Sequence, residues 1–280
     1  MKTILVPTDF SDHATYALDL AYDIAKKSGA AIKLLNVVEA PHGSSFNAMG
    51  EVTTDDTESL FFVQLVKGVK QRLLEIDEDP KYADVKLDGF VEVGNPYENI
   101  ARTIADQEVD LVVMGTQGSS GLEEVFVGSN AEKAVRYSNC PVLTVKEPVH
   151  ANAIKDIVLA TNLRDDHQDL FSQLTKIQQL FDATIHIVRI NTPSSFENDR
   201  YYKSEMQKFA EQYGLTNYTL NVYNDSDEED GIIYFAEQVN ADMIAMGTHG
   251  RSGISRILSG SIAEDVVNHS KRPVWTFKLK

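Results

Sequence analysis

The chain has 280 residues, one cysteine, and 42 Asp and Glu against 26 Lys and Arg, for a net charge of −16. That length suits two domains, each large enough for its own core. The acidic balance disfavours nucleic acid or an anionic membrane surface as the main partner. Cys140, being alone, excludes an internal disulfide and suits a reducing cytoplasm. No apolar run is long enough to span a bilayer, and the first one, cut short by Asp9, is too brief for a secretion signal. The expected setting is cytoplasmic, with no membrane and no nucleic acid as partner.

The elements alternate strand and helix. Thr3 to Pro7 is an apolar run of strand length. Ser11 suits an N-cap, and Ala14, Ala17, Leu18, Ala21, Ile24 and Ala25 recur at helical spacing before Gly29 ends the helix. Ala31 to Val38 reads as a second strand. The stretch from Ala40 to Glu58, rich in Gly, Ser, Thr and Asp, reads as a loop suited to a lid. A helix follows from Thr57 to Glu78, then a strand from Leu87 to Val93 and a helix opened by Asn95-Pro96. Asp110 to Met114 is a fourth strand, Ser129 to Tyr137 a helix, and Val142 to Val145 a fifth strand. Cys140, before Pro141 and an apolar run, reads as a small buried side chain rather than a reactive thiol. A linker near Glu147 to Ala153, broken by Pro148, precedes strands at Asp156–Ala160, Thr184–Ile190, Tyr218–Tyr223, Asp242–Met246 and Val274–Phe277. The acidic run Asp225 to Asp230 reads as a solvated helix cap rather than a metal site. Each half is therefore expected to be a parallel α/β sheet covered on both faces, with ligands beyond the carboxyl ends of its strands.

The two halves are copies. Ile4 to Phe10 aligns with Ile157 to Leu163, and Ala30 to Val37 with Ala183 to Ile190, at an offset of 153. From Asp110/Asp242 to Lys146/Lys278 the offset is 132, so the second half lacks 21 residues between Ile190 and Val222. Met114-Gly115-Thr116-Gln117-Gly118, nine residues and Gly128-Ser129 match Met246-Gly247-Thr248-His249-Gly250, nine residues and Gly260-Ser261. Glycines between a buried strand and a helix start let amides turn towards an anion, which suggests a phosphate cradle made twice. The other reading is a tight strand-to-helix turn.

This glycine spacing, with the early Val6-Pro7-Thr8-Asp9-Phe10-Ser11, resembles the universal stress protein family in its tandem two-domain form. The resemblance covers nearly the whole chain. It implies two Rossmann-like domains of the adenine nucleotide α-hydrolase type, at 1–148 and 153–280, each with five parallel strands. It implies ATP binding in one branch of the family and none in the other. It also implies pairing through the last strand of each domain, here internal, with a further homodimer left open. Carried over position by position, Pro7, Thr8 and Asp9 match the adenine and ribose end and Val37 the backbone beside adenine. Met114, Gly115 and Gly118 match the ribose and phosphate turn, and Gly128, Ser129 and Asn130 the phosphate cradle. The second-half counterparts are Ala160, Thr161, Asn162, Ile190, Met246, Gly247, His249, Gly250, Arg251, Gly260, Ser261 and Ile262.

The halves depart from the pattern in opposite ways. The first keeps Pro7 and Asp9 but carries Glu123 and Glu124 near its glycines; the second loses both yet has His249, Arg251 and Arg256. Glutamates oppose a triphosphate unless Mg²⁺ or Mn²⁺ intervenes, whereas arginine helps. The first half, with its adenine end intact, is the favoured ATP site. Asp9 has a structural reading too, accepting backbone N–H groups at the next helix. No phosphate-loop, pyrophosphatase-type or zinc-pair motif is present, and the seven histidines are scattered. Three functions remain: an ATP-binding stress-response regulator, a nucleotide-free tandem adaptor, and a weak ATP hydrolase.

Overall fold

In the computed structural model, residues 1–39, 45–46, 52–53, 56–116, 128–162, 167–212, 214–249 and 259–279 are described. The first half runs β1 (Thr3–Pro7), α1 (Asp12–Ser28), β2 (Ala31–Val38), β3 (Ser45–Phe46), β4 (Val52–Thr53), α2 (Asp56–Asp77), β5 (Leu87–Val93), α3 (Pro96–Asp106), β6 (Leu111–Gly115), α4 (Ser129–Tyr137) and β7 (Val142–Val145). The second runs β8 (Asp156–Ala160), α5 (His167–Phe181), β9 (Thr184–Asn191), α6 (Asp199–Gln212), β10 (Tyr218–Asn224), α7 (Glu228–Gln238), β11 (Met243–His249), α8 (Ser259–His269) and β12 (Val274–Leu279). The two-residue strands β3 and β4 pair antiparallel inside the stretch expected to be an unbroken loop. Its last residues, 56–58, open α2, and the rest of that expected lid lies outside the described residues.

Local chemistry sets the boundaries. The Ser11 hydroxyl caps α1 by accepting the Ala14 N–H at 3.2 Å, and Gly29 closes the helix at φ 72°. Asn95 accepts the Glu98 N–H at 3.2 Å, with Pro96 opening α3. Asp227 does the same for α7, accepting the Glu229 N–H at 2.8 Å. The acidic run is thus a helix cap. The 21-residue deficit falls on the crossing from β9 to β10, where α6 has 14 residues against 22 in α2.

Strand order is β5-β2-β1-β6-β7 in the first half and β10-β9-β8-β11-β12 in the second, parallel throughout each half. β7 and β12 pair antiparallel, Leu143 opposite Trp275, so the ten strands form one sheet. Its two faces carry separate apolar layers. One gathers α1, α2, α5 and α6 over residues such as Ile4, Val113 and Phe277; the other gathers α3, α4, α7 and α8 over Leu5, Val112 and Ile244. Burying each such apolar side chain contributes about 1.5–3 kcal/mol.

The link between halves is pinned. Ala151 and Ile154 are fully buried. Asp23 on α1 accepts the Ala151 N–H at 3.1 Å and lies 3.0 Å from His150 Nδ1, while Lys27 donates to the Ala151 carbonyl at 3.2 Å. The sequence marks a linker here; packing makes it a wall of the core.

Candidate functional site

Strand order reverses between β1 and β6, and a cleft of about 370 Å³ opens beyond their carboxyl ends. That volume suits a small ligand. Its first wall is the turn after β1. Thr8 extends the β1–β2 ladder through its N–H to Leu35 O at 2.8 Å, and Asn36 Nδ2 holds the Thr8 carbonyl at 2.8 Å. Phe10 donates its N–H to Thr8 Oγ1 at 3.0 Å, and Ser11 donates its own to Asp9 Oδ1 at 3.0 Å. Phe10 has φ +63°, the left-handed region that a bulky L-residue enters at a cost of about 1–2 kcal/mol. The Arg72 guanidinium, 4.2 Å from the ring centroid, packs on it from α2. This turn leaves Asp9 exposed at the cleft mouth while one of its oxygens serves α1, so the structural use of Asp9 is real.

The second wall is the end of β6 and the start of α4. A Cβ on Gly115 would lie 2.8 Å from backbone atoms of His13, so this glycine is required by the close approach of α1. Thr116 continues the ladder through its N–H to Val145 O at 3.1 Å. The Gly128 N–H donates to Thr116 O at 2.6 Å, so Gly128 supplies the bend rather than a free donor. Ala131 and Glu132 both donate to Gly128 O. The amides of Ser129 and Asn130 then meet no acceptor among the described residues, at a helix end that favours negative charge.

Of the ten first-half candidates, nine line this cleft: Pro7, Thr8, Asp9, Val37, Met114, Gly115, Gly128, Ser129 and Asn130. Gly118, with Glu123 and Glu124, lies outside the described residues. Seven further lining residues were not site candidates in the sequence, among them Glu39, Thr116 and Ile100. Thr116 had a signal, since it sits inside the repeated glycine stretch and recurs as Thr248. Glu39 follows β2 directly, and only the fold turns it towards β1 and α4.

The second half is built alike, but the residue at the position of Val37 is more deeply buried. Val37 is half-buried and lines the first cleft; its counterpart Ile190 is only 4% exposed. A Cβ on Gly231 of α7 would sit 2.6 Å from Ile190 Cγ2, so α7 lies directly on that side chain. The first half has Asn99 at the position of Gly231. Ala160 and Met246 are buried, Thr161 and Asn162 half-buried, and the Thr161 N–H donates to Val188 O at 3.2 Å. Gly247 pairs with Phe277 inside the sheet and His249 ends β11. Gly260 and Ser261 fall in the first turn of α8, with half-buried Ile262 packed on the core. Gly250, Arg251 and Arg256 lie outside the described residues.

Asp9 and Glu39 are oxygen donors of the kind that hold Mg²⁺ or Mn²⁺. Among the described residues, no three His, Cys, Asp or Glu side chains gather as a metal cluster. Burial pushes the Cys140 thiol up to about 12, which leaves it inert. No described helix is long and apolar enough to cross a membrane.

The profile of the universal stress protein family matches residues 1–146 and again 153–278. A universal stress protein of Staphylococcus epidermidis is 30% identical over 169 residues, covering 60% of this chain and 98% of that one. One from Methanocaldococcus jannaschii is 29% identical over 153 residues, covering 52% of this chain and 94% of that one. The crystal structure of a universal stress protein from Archaeoglobus fulgidus superposes with a TM-score of 0.75 at 19% identity, over 99% of this chain and 98% of that one, a likeness of fold. The chain belongs to the universal stress protein family, in tandem two-domain form.

Proposed function

We propose that the chain is an ATP-binding regulator of the stress response that holds the nucleotide in its first-half cleft. Adenine and ribose lie between Val37 and the Thr8–Asp9 turn, and the phosphates lie at the start of α4. The observation that carries this is the cleft itself. Nine residues scattered from Pro7 to Asn130 share one lining that ends on the amides of Ser129 and Asn130, which meet no acceptor among the described residues. Asp9 and Glu39 would hold Mg²⁺ or Mn²⁺, which screens the phosphate charge there. The residues supply orientation and an anion cradle, and no described nucleophile and base stand together, so hydrolysis is at most slow. The packed Ile190 supports one nucleotide per chain. The domain limits are 1–148 and 153–280, in a cytoplasmic protein whose β7–β12 pairing serves as an internal dimer interface. The alternative, a nucleotide-free adaptor, draws its support from that same buried Ile190.

Equilibrium dialysis with ATP and Mg²⁺ tests this. About one ATP binds per chain, Asp9→Ala weakens binding about tenfold or more, and Gly260→Val leaves it nearly unchanged. Absence of ATP binding to the intact chain would leave the adaptor.

A further inference from the structure

A second cavity, of about 220 Å³, lies between α3 and α4. It shares Ile100 alone with the lining of the first cleft. Ile100 and Val109 are buried at its base, and Ala101 and Ala105 stand exposed at its rim. The rings of Tyr97 and Tyr137 bound it, edge to face with centroids 6.1 Å apart. Ser138, Asn139 and Cys140 supply its polar atoms. An engineered apolar cavity of about 150 Å³ holds benzene, so this space has room for a two-ring aromatic molecule. The two tyrosine rings favour such a planar guest over a branched aliphatic one.

The second half builds the same place differently. At the offset of 132, Tyr97 becomes Glu229, Tyr137 becomes His269 and Cys140 becomes Arg272. There His269 Nδ1 meets the Glu229 carboxylate, and Arg272 Nε donates to Ala241 O at 2.5 Å. Ala241 stands at the position of Val109, so the Arg272 side chain spans the place that the first half leaves open. One half bridges these helices with charged side chains; the other lines the gap with rings and a small thiol.

The charge around the first-half cavity is favourable to an anion. Lys133 Nζ lies 5.9 Å from the Tyr97 ring centroid, and Arg136 Cζ 5.5 Å from that of Tyr137. Lys278, arriving from β12, donates to Asn139 Oδ1 at 3.0 Å. Each of the three thus stands on a residue that lines the cavity. Arg136 also pairs with Glu264 at 3.4 Å, whereas Lys133 rests on a ring and Lys278 on a neutral amide. Asp110, the acid that acts on Cys140, accepts the Thr3 N–H at 3.1 Å and that of Lys2. A guest with an anionic edge therefore meets two cations held on neutral partners.

We propose that the cavity between α3 and α4 is a second ligand site, separate from the first cleft, for a planar aromatic carboxylate. The aromatic rings of the guest lie among Tyr97, Tyr137 and Ile100, and its carboxylate faces Lys133 and Lys278. The assignment stands whether or not a nucleotide occupies the first cleft.

Isothermal titration of the full chain with 2-naphthoate tests this, with 2-naphthalenemethanol as the neutral analogue. About one 2-naphthoate binds per chain with a Kd on the order of 0.1–1 mM, about fivefold more tightly than the alcohol. Cys140→Arg, which installs the second-half residue, weakens binding about tenfold or more. Ala101→Trp, at an exposed rim position that accepts a large side chain, does the same. Circular dichroism checks that both variants are folded. Lys133→Gln combined with Lys278→Gln brings the carboxylate and the alcohol within about twofold of each other. Absence of 2-naphthoate binding up to about 5 mM, equal affinity of the parent chain for the alcohol, or binding that both filling variants leave unchanged overturns the inference.

Discussion

Gly115 shows how one residue can serve two ends. It lines the cleft, and it also lets α1 reach β6, because any side chain there would collide with the backbone of His13. Gly115→Ala is expected to lower stability by about 1–3 kcal/mol through overpacking. A reduced urea midpoint with an unchanged m-value would show it, and an unchanged midpoint would mean that α1 yields freely. Arg189 shows divergence at one position. Its counterpart Asn36 braces the turn after β1 through Thr8 O, whereas Arg189 is 5% exposed with its guanidinium over the Tyr202 ring at 5.4 Å. The brace of the first site has become a packing residue in the second half.

Helix starts carry much of the design at the scale of elements. α1, α3 and α7 begin with side-chain caps, whereas α4 begins at Gly128 with none. A side-chain cap satisfies one of the orphan amides at a helix start; at α4 the amides of Ser129 and Asn130 meet no acceptor among the described residues. Within the run 225–230, Asp227 alone is the N-cap, and Glu229 also meets His269 of α8. Asp227→Ala is expected to lower stability by about 1 kcal/mol, while Glu228→Gln, which only removes charge from a half-buried residue of the first turn, costs about a few tenths of a kcal/mol. Equal midpoint shifts for the two would contradict the cap.

The whole molecule is organised by the seam where β7 meets β12. Each half lends the other a lysine, Lys146 to the Asn268 carbonyl near the end of α8 and Lys278 to Asn139 beyond α4, the latter at 3.0 Å. α4 and α8 cross this seam with Arg136 and Glu264 3.4 Å apart. Burial holds the Glu264 carboxyl above its ordinary range; Arg136 draws it down, and Glu132 and Asp265 push it further up. A carboxyl raised on folding favours the native state while protonated, and that contribution is lost as pH rises through its folded value. Glu264→Gln is therefore expected to stabilise the chain at neutral pH relative to the parent. The gain should vanish below about pH 4, where the Glu264 carboxyl is protonated in the folded and unfolded states alike. Thermal melts from pH 3 to 8 check this, and a loss at neutral pH would mean that the Arg136 pair outweighs burial.

Strands, helices, the doubling and the turn residues were legible because they rest on local chemistry: apolar runs of strand length, caps such as Ser11 and Asn95, and the exact recurrence of glycine spacing at 132 residues. The ends of β11 and β12 ran past their expected limits because β11 pairs with β12 out to His249 and Leu279, a contact that no local pattern encodes. Sequence by itself determined the fold class, the two copies and nine of the residues around the first cleft. Only the tertiary structure decided which donors remain unengaged, since that depends on neighbours far along the chain. Gly128 loses its amide to Thr116, Thr248 satisfies its hydroxyl on Phe277 while Thr116 does not, and Ile190 is covered by a helix that a glycine lets close.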